Sequence, residues 1–421
     1  MRKFRRRFVA LSLTGGLAAF MLLFAVVDGA GASGNAPRNS ALSTGTNVNK
    51  AVNGKFKKPI MIGAAIAVTG QNAFSDIGPI TGEKYAVADI NKAGGIDGQK
   101  IDLFTEDTQS TTAGSQTATL AAISAGAQIV LNGCNYDYNA PGGEAAETAG
   151  IIAWSQCAGS PKWGVQGIGE MAFTPGILTY SEGNVAAKFA TQTFGKRGFA
   201  LCDEWLDYMI QTCQGYEEGL PEYGGTLAGS AIINTQQNTN VAAQITEIKN
   251  TPNLKYIYFA GAQFGDPAVL RQIRAAGITL PVVGPTAWYG TAWTSAVPDL
   301  NDLYVDAPAD TYGGDPRPAV RALVNRYYKQ YNAYPSDGNF VEGYSSIQIL
   351  ADAIKATGTT KGITLAHYLE THKFHTILGT RYFSKSLHAQ AKRTFVFVRY
   401  VNGYPHYYKT ETPTKKVNLH L

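Results

Sequence analysis

The chain predicts an α/β protein built as two doubly wound parallel-sheet lobes. Its 421 residues exceed what one ordinary hydrophobic core organises, so two domains are the expectation. From residue 60 onward a short apolar strand, a small polar loop and a helix recur in turn, the grammar of parallel strands covered by helices. With 45 % hydrophobic and 16 % charged residues, the composition is that of an ordinary globular chain, neither disordered nor membrane-embedded.

The first unit sets the pattern. Residues 60–68 are an apolar run of Ile, Met, Ala and Val with no helical face, which suits a strand buried on both sides. Thr69 and Gly70 break it. Residues 78–91 place Ile80, Tyr85, Val87, Ala88 and Ile90 mostly at helical spacing. Gly94-Gly95 ends that helix, because glycine reaches the left-handed conformation of a C-cap. Asp97-Gly98 is a turn, and residues 99–105 alternate as a second strand. Strand, helix, strand is the crossover of a parallel sheet. Such sheets bind ligands beyond the carboxyl ends of their strands. The loop 69–79, with Phe74 and Ser75 near its middle, lies there.

The pattern continues with a helix at 113–125 and a strand at 128–131, followed at once by Asn132-Gly133-Cys134-Asn135-Tyr136-Asp137. A helix at 144–149 and a strand at 151–154 lead into Ser155-Gln156-Cys157-Ala158-Gly159-Ser160. A second run follows: helix 184–194, strand 198–202, loop 203–208, a helix to about 220, strand 224–233, helix 241–249 and strand 255–259. The loop 261–265, with Ala262 and Gln263, precedes a helix at 267–276 and a strand at 281–284. After a strand at 303–305, residues 306–315 read as a crossing segment with Tyr312 facing the cleft. Helices are expected at 318–331, 340–356 and 364–372, and strands at 382–383 and 393–401.

Two stretches closely resemble the leucine/isoleucine/valine-binding protein family, the branched-chain amino acid substrate-binding proteins of ABC importers. They are VTG with TGEKYAVADINKAGGIDGQKI, and YFAGAQFGDPAVLRQIRAAGI with VVGPTAW. The resemblance implies the type I periplasmic-binding-protein fold, with lobes joined by a multi-strand hinge. Residues 59–178 and 308–375 are expected in lobe 1, residues 179–307 and 376–411 in lobe 2, and 412–421 as a tail. It further implies a small amino-acid-like or other small organic ligand held between closing lobes, with the importer's permease and ATPase subunits as partners. The alternative is a ligand-sensing module that signals through a receptor partner.

Carried over residue by residue, the resemblance puts Asn135 and Tyr136 in one ligand-carboxylate loop and Cys157 and Gly159 in the other. The family's hydroxyls are missing there, except for Ser160 nearby. Its second-lobe tyrosine matches Tyr208, and its next tyrosine falls on Ala262. The acid that holds the ligand's ammonium falls on Thr286. A buried ammonium needs a charged or well-arranged partner, and a hydroxyl is a poor substitute. This departure argues against a plain α-amino acid. Asp137, Asp207 and Asp266 are the acids that could stand in, each better read as a solvated loop or cap residue. Aromatic residues remain at the loops: Phe74, Tyr136, Trp205, Tyr208, Phe264, Trp288 and Tyr289. Rings of this kind suit a ligand with a flat or apolar body, and Tyr208 and Trp288 are the cleft candidates among them. Trp154, inside a strand, reads as core.

The N-terminus reads as an export signal. Arg2, Lys3, Arg5, Arg6 and Arg7 precede an apolar run over residues 8–27, and Ala30-Gly31-Ala32 is a cleavage pattern, so 1–32 is expected to be removed. Localisation is then periplasmic or extracellular, with the membrane reached only through the permease or an uncleaved signal. Residues 33–58, rich in Gly, Asn, Ser, Thr and Lys, read as a disordered lead-in. The net charge of +5 is concentrated in the signal; without it 31 basic and 30 acidic residues remain. No global basic field points to nucleic acid.

Four cysteines in an exported chain point to disulfides, with three possible connectivities. Cys134 and Cys157 end neighbouring strands, and Cys202 and Cys213 lie close in sequence, so these are the expected pairs. No metal or cofactor is expected. Enzymatic activity is not expected either: no nucleophile-elbow, zincin or P-loop pattern occurs. All six histidines lie in the last stretch, where they read as surface residues.

Overall fold

The computed structural model describes residue 56, residues 58–414 and residues 417–420, all within the unit Val52–Leu421. The expected signal peptide and nearly all of the lead-in lie outside these residues. In chain order the elements are β1 (Ile60–Ile66), α1 (Ala73–Lys92), β2 (Ile101–Asp107), α2 (Thr112–Ser124), β3 (Ile129–Asn132), α3 (Tyr136–Thr148), β4 (Ile152–Ser155) and β5 (Ala172–Phe173). Then come α4 (Thr179–Phe194), β6 (Arg197–Asp203), α5 (Asp207–Glu222), β7 (Thr226–Ile233), α6 (Ala242–Asn250), β8 (Tyr256–Ala260), α7 (Asp266–Ala275), β9 (Val282–Gly284) and β10 (Leu303–Ala307). The chain closes with α8 (Pro318–Tyr331), α9 (Asn339–Thr357), α10 (Gly362–Leu369), β11 (Lys373–Thr376), β12 (Gly379–Tyr382), β13 (Phe395–Val401) and β14 (Tyr404–Glu411).

Two sheets organise these elements. The first lobe's sheet runs β2-β1-β3-β4-β5, all parallel. Strand β1 pairs Ile62 with Leu103 of β2 on one side and Ile129 of β3 on the other. With helices on both faces, nearly every β1 side chain is buried, which is why the strand reads as a continuous apolar run. The second lobe's sheet runs β14-β13-β10-β9-β8-β6-β7. Its β6 to β10 portion is parallel, and β13 and β14 add an antiparallel edge.

The chain passes between the lobes three times, near residues 174–178, 308–311 and 390–394. The first and third crossings hydrogen-bond to each other: Leu178 N–H donates to Gln390 O at 3.0 Å, and Gln390 N–H to Gly176 O at 3.1 Å. Rotation about such paired strands is a hinge motion with a defined axis rather than the freedom of a loose linker.

Three expectations are corrected here. First, α1 begins at Ala73, so Phe74 and Ser75 occupy its first turn and not the middle of a loop. The loop is short because the end of β2 ties it down: Asp107 accepts from the N–H groups of Val68 and Thr69, and Ser110 Oγ from that of Asn72. Pro79, which reads as a helix break, sits inside α1. Second, Asn135 is the N-cap of α3, its Oδ1 accepting from Asp137 N–H at 2.9 Å, and Tyr136 is helical. Pro141 and Gly142-Gly143 inside that helix masked its start. Third, residues 376–389 do not return to the second lobe. Phe383 packs edge-on against Trp154 and Phe173 at 5.8 and 5.3 Å, in the core that also holds Ile62 and Leu350. This apolar anchor delays the third crossing until after His388. That histidine is buried, not on the surface: it stacks on Phe173 and meets Ala172 O and Glu370 Oε1.

Candidate functional site

The carboxyl ends of the parallel strands in both lobes face one another across a cavity. From the first lobe, the turn after β1 brings Asn72, Phe74 and Ser75. The turn after β3 brings Cys134, Asn135 and Tyr136, and the loop after β4 brings Cys157, Gly159 and Ser160. From the second lobe, Leu206, Tyr208 and Met209 follow β6, Ala262, Gln263 and Phe264 follow β8, and Thr286 and Ala287 follow β9. The hinge and the start of α9 add Ile177, Thr179, Glu182, Asp337, Glu342 and Arg393. The empty volume is about 990 Å³, counting space open to solvent.

Two expected residues are elsewhere. Trp288 is fully buried in the second lobe, its Nε1 donating to Phe259 O at 3.2 Å and its ring packed on Phe259 and Trp293. A single helical turn at Thr286–Trp288 points residue 287 toward the cavity and residue 288 back to the sheet. Tyr312 packs on Tyr289 and Tyr334, with its hydroxyl on Thr291 Oγ1, outside the cavity lining. The three candidate acids are not in the lining either. Asp266 is buried at the start of α7, where its Oδ2 accepts from Ala262 N–H at 2.7 Å; burial first, and then Asp203, push its carboxyl well up. Asp137 and Asp207 meet each other across the cleft mouth.

Among the acids that line the cavity, Glu182 stands in the first turn of α4. Its Oε1 accepts from the Tyr208 hydroxyl at 2.7 Å and from Thr286 N–H at 2.6 Å. Asp306 stands behind, accepting from Thr286 Oγ1 at 2.8 Å. Burial, then the adjacent Glu182 carboxylate, push the Asp306 carboxyl well above the usual range. The same two causes push the Tyr208 phenol well up, so it stays a donor. Sequence reasoning missed Glu182 because the helix was expected to start at residue 184, which left this acid in the connecting stretch before it.

At the hinge, Glu342 accepts from Arg393 Nη2 at 2.7 Å and lies 3.6 Å from Arg381 Nε, with all three side chains buried. Arg393 Nη1 donates to Pro175 O, which ties the first and third crossings to α9. Two further carboxyls lie in or against the lining. Burial pushes Asp337 up to about 7 and Asp76 up to about 6. Asp76 accepts from Ala67 and Cys134 N–H, joining two of the first-lobe turns.

The lobes touch at the mouth. Phe74 of the first lobe packs on Phe264 of the second at 5.4 Å, and Trp205 meets Phe264 at 4.7 Å. Asp207 N–H donates to Asp137 Oδ2 at 3.0 Å, and Ser160 Oγ donates to Asp207 Oδ2 at 3.2 Å. This is a closed form. In the walls, Cys134 and Cys157 lie with Cα atoms 4.7 Å apart, and Cys202 and Cys213 with theirs 5.8 Å apart, both at disulfide distance.

Known proteins share this architecture. The branched-chain amino acid transporter substrate binding protein LivJ from Streptococcus pneumoniae, solved with isoleucine, superposes with a TM-score of 0.73 at 21 % identity, covering 84 % of this chain and 99 % of that one. A solute binding protein from R. palustris, solved with benzoate, gives 0.70 at 16 % identity, covering 84 % and 97 %. In sequence, an amino acid binding protein from Pseudomonas aeruginosa is 25 % identical over 339 residues, 77 % of this chain and 86 % of that protein. Residues 59–405 match the family model described as periplasmic binding protein, and the chain belongs to that family.

Proposed function

We propose that this protein is an extracytoplasmic solute-binding protein of an ABC importer. A small amino-acid-like or other small organic molecule is trapped between the lobes and handed to permease and ATPase subunits. The observation that carries the reading is the cavity itself: turns after parallel strands from both lobes converge on one cleft, and the lobes meet at its mouth. Ligand affinity is then the difference between contacts made in the closed and open forms. Phe74, Ser75, Asn135, Tyr136, Cys157, Gly159 and Ser160 form the ligand wall of the first lobe, and Tyr208, Ala262, Gln263 and Thr286 that of the second.

Export follows from the basic and apolar N-terminal run, with cleavage after Ala32 or Ala30. In the oxidising compartment both cysteine pairs are disulfides, which mass mapping without reduction reads directly. The functional test is a thermal-shift screen over amino acids, amides, aromatic acids and short peptides. A compound that raises Tm is then titrated against Tyr208→Ala. The expected result is a loss of binding in the variant. Undiminished binding contradicts the assignment of this cleft.

A further inference from the structure

We propose that the Cys134–Cys157 disulfide is a redox control on the cleft: ligand is held while the bond is closed and released when a dithiol opens it. The proposal rests on the solute-binding reading above and adds regulation of the same site.

The bridge is part of the ligand wall. Strands β3 and β4 pair in register up to Asn132 and Ser155, and the two cysteines stand two residues beyond, with Cα atoms 4.7 Å apart. Both line the cavity, beside Asn135 and Tyr136 in one loop and Gly159 and Ser160 in the other, and both are half-buried. Cys202 and Cys213 are only 6 % and 5 % exposed, lie outside the lining and pack in the second lobe's core with Ala200 and Tyr216. A reductant that enters the cleft therefore meets the first pair, while the second is sealed away from it.

Cys134 also fixes the turn after β1. Its N–H donates to Asp76 Oδ1 at 2.9 Å, its Sγ lies 3.2 Å from Ser75 O, and Asp76 Oδ2 accepts from Ala67 N–H at 2.8 Å. Three turns of the wall thus meet at this cysteine. Bonded sulfurs sit about 2.05 Å apart, whereas non-bonded heavy atoms need about 3.5–4 Å, so opening the bond moves wall sulfurs by about 1.5 Å or more. A shift of that size in a closed cavity displaces the contacts that set affinity in the closed form. The dithiol attacks one sulfur, the S–S bond breaks, and a second attack within the mixed disulfide frees both protein thiols. The reductant leaves as a disulfide, having given up two electrons and two protons. By linkage, a ligand that binds the oxidised form more tightly makes the bond harder to reduce by the same factor.

The mature protein is treated with graded dithiothreitol under native conditions, free thiols are alkylated, and the peptides are mapped by mass. Cys134–Cys157 is expected to open first, with Cys202–Cys213 intact and circular dichroism unchanged. Calorimetric titration of that state uses the amino acid, amide, aromatic acid or short peptide that most raises the Tm of the oxidised protein. Its affinity is expected to fall about tenfold or more. Cys134→Ser with Cys157→Ser should bind that compound as weakly, with or without dithiothreitol. Cys202→Ser with Cys213→Ser also loses a cross-link and some Tm, yet should bind as wild type and keep its sensitivity to dithiothreitol. The contrast separates positioning of the wall from a general loss of stability. The redox control is overturned if Cys202–Cys213 opens first or together with the other bond, or if the partly reduced protein unfolds. It is overturned equally if that protein binds as tightly as the oxidised one, or if both double variants lose binding alike. A compound that binds, is lost in Tyr208→Ala and ignores reduction removes the redox control alone. If no compound binds the oxidised protein, or binding is indifferent to Tyr208→Ala, the cleft reading falls with it.

Discussion

Tyr208, Glu182, Thr286 and Asp306 form one buried chain of polar groups, and its members respond differently to truncation. Tyr208 donates to Glu182 and also accepts from Ala287 N–H at 3.3 Å. Tyr208→Phe leaves both partners wanting, and we expect a loss of about 1–3 kcal/mol in denaturant unfolding. Burial and the neighbouring Glu182 push the Asp306 carboxyl well up and favour its neutral form, and the neutral Asp306→Asn keeps the acceptor for Thr286 Oγ1. Its expected cost near neutral pH is below about 1 kcal/mol. A larger loss for Asp306→Asn than for Tyr208→Phe would contradict this account of the protons. At this scale the sequence was partly informative. Tyr208 was legible because it follows a strand end in a recognisable context. Glu182 was not, since it stood before the expected helix start at residue 184. Trp288 was misread because one helical turn reverses which neighbour faces the cleft.

The elements are held by close helix contacts that depend on small residues. A Cβ on Gly82 of α1 would lie 1.8 Å from Phe340 O on α9, so those two backbones touch. Across the second lobe, a Cβ on Gly215 of α5 would lie 2.2 Å from Tyr180 O on α4. Gly82→Ala is expected to cost about 1–3 kcal/mol through forced separation of α1 and α9, seen as a lower Tm. Gly215→Ala should destabilise comparably and also weaken ligand binding, because α4 carries Glu182. Unchanged stability in both variants would mean that these helix pairs are looser than described. The parallel strands β1–β4 and β6–β10, the strand β13 and the long helices α8 and α9 were legible from apolar runs and periodicity, whereas β5, the β11–β12 hairpin and β14 were not. Helix starts were not: α1, α3 and α4 each begin earlier than their periodic cores, and in α1 and α3 a proline lies inside the helix. Tertiary packing holds turns that local propensity would end.

On the scale of the whole molecule, two properties follow from burial. Asp76 and Asp337 hold their protons up to about 6 and about 7, whereas in the unfolded chain they lose them near the ordinary aspartate value of 3.8. Between those values the folded state binds more protons than the unfolded one, so stability falls as pH rises. Tm should be higher at about pH 5 than at about pH 7.5, and Asp337→Asn should flatten that slope. A Tm that rises over this window would be contrary. The cysteine pairs close loops with sequence separations of 23 and 11. Once oxidised, each should contribute about 3 kcal/mol, so reduction should lower Tm clearly in a thermal scan. The two-lobed plan was legible in the alternating grammar and in its family resemblance. The late third crossing was not, because Phe383 joins the first lobe's core through contacts with Trp154 and Phe173, more than two hundred residues earlier.

Closure over a ligand is read most directly as a distance between the lobes. Spin labels at Leu120 on α2 and Leu227 on β7, both on the exposed surface of their lobes, report it by pulsed dipolar spectroscopy. With a ligand that raises Tm, the account predicts one narrow distribution at the separation of the closed form, and without it a broader distribution at longer distance. Identical distributions with and without that ligand would contradict a cleft that works by closing.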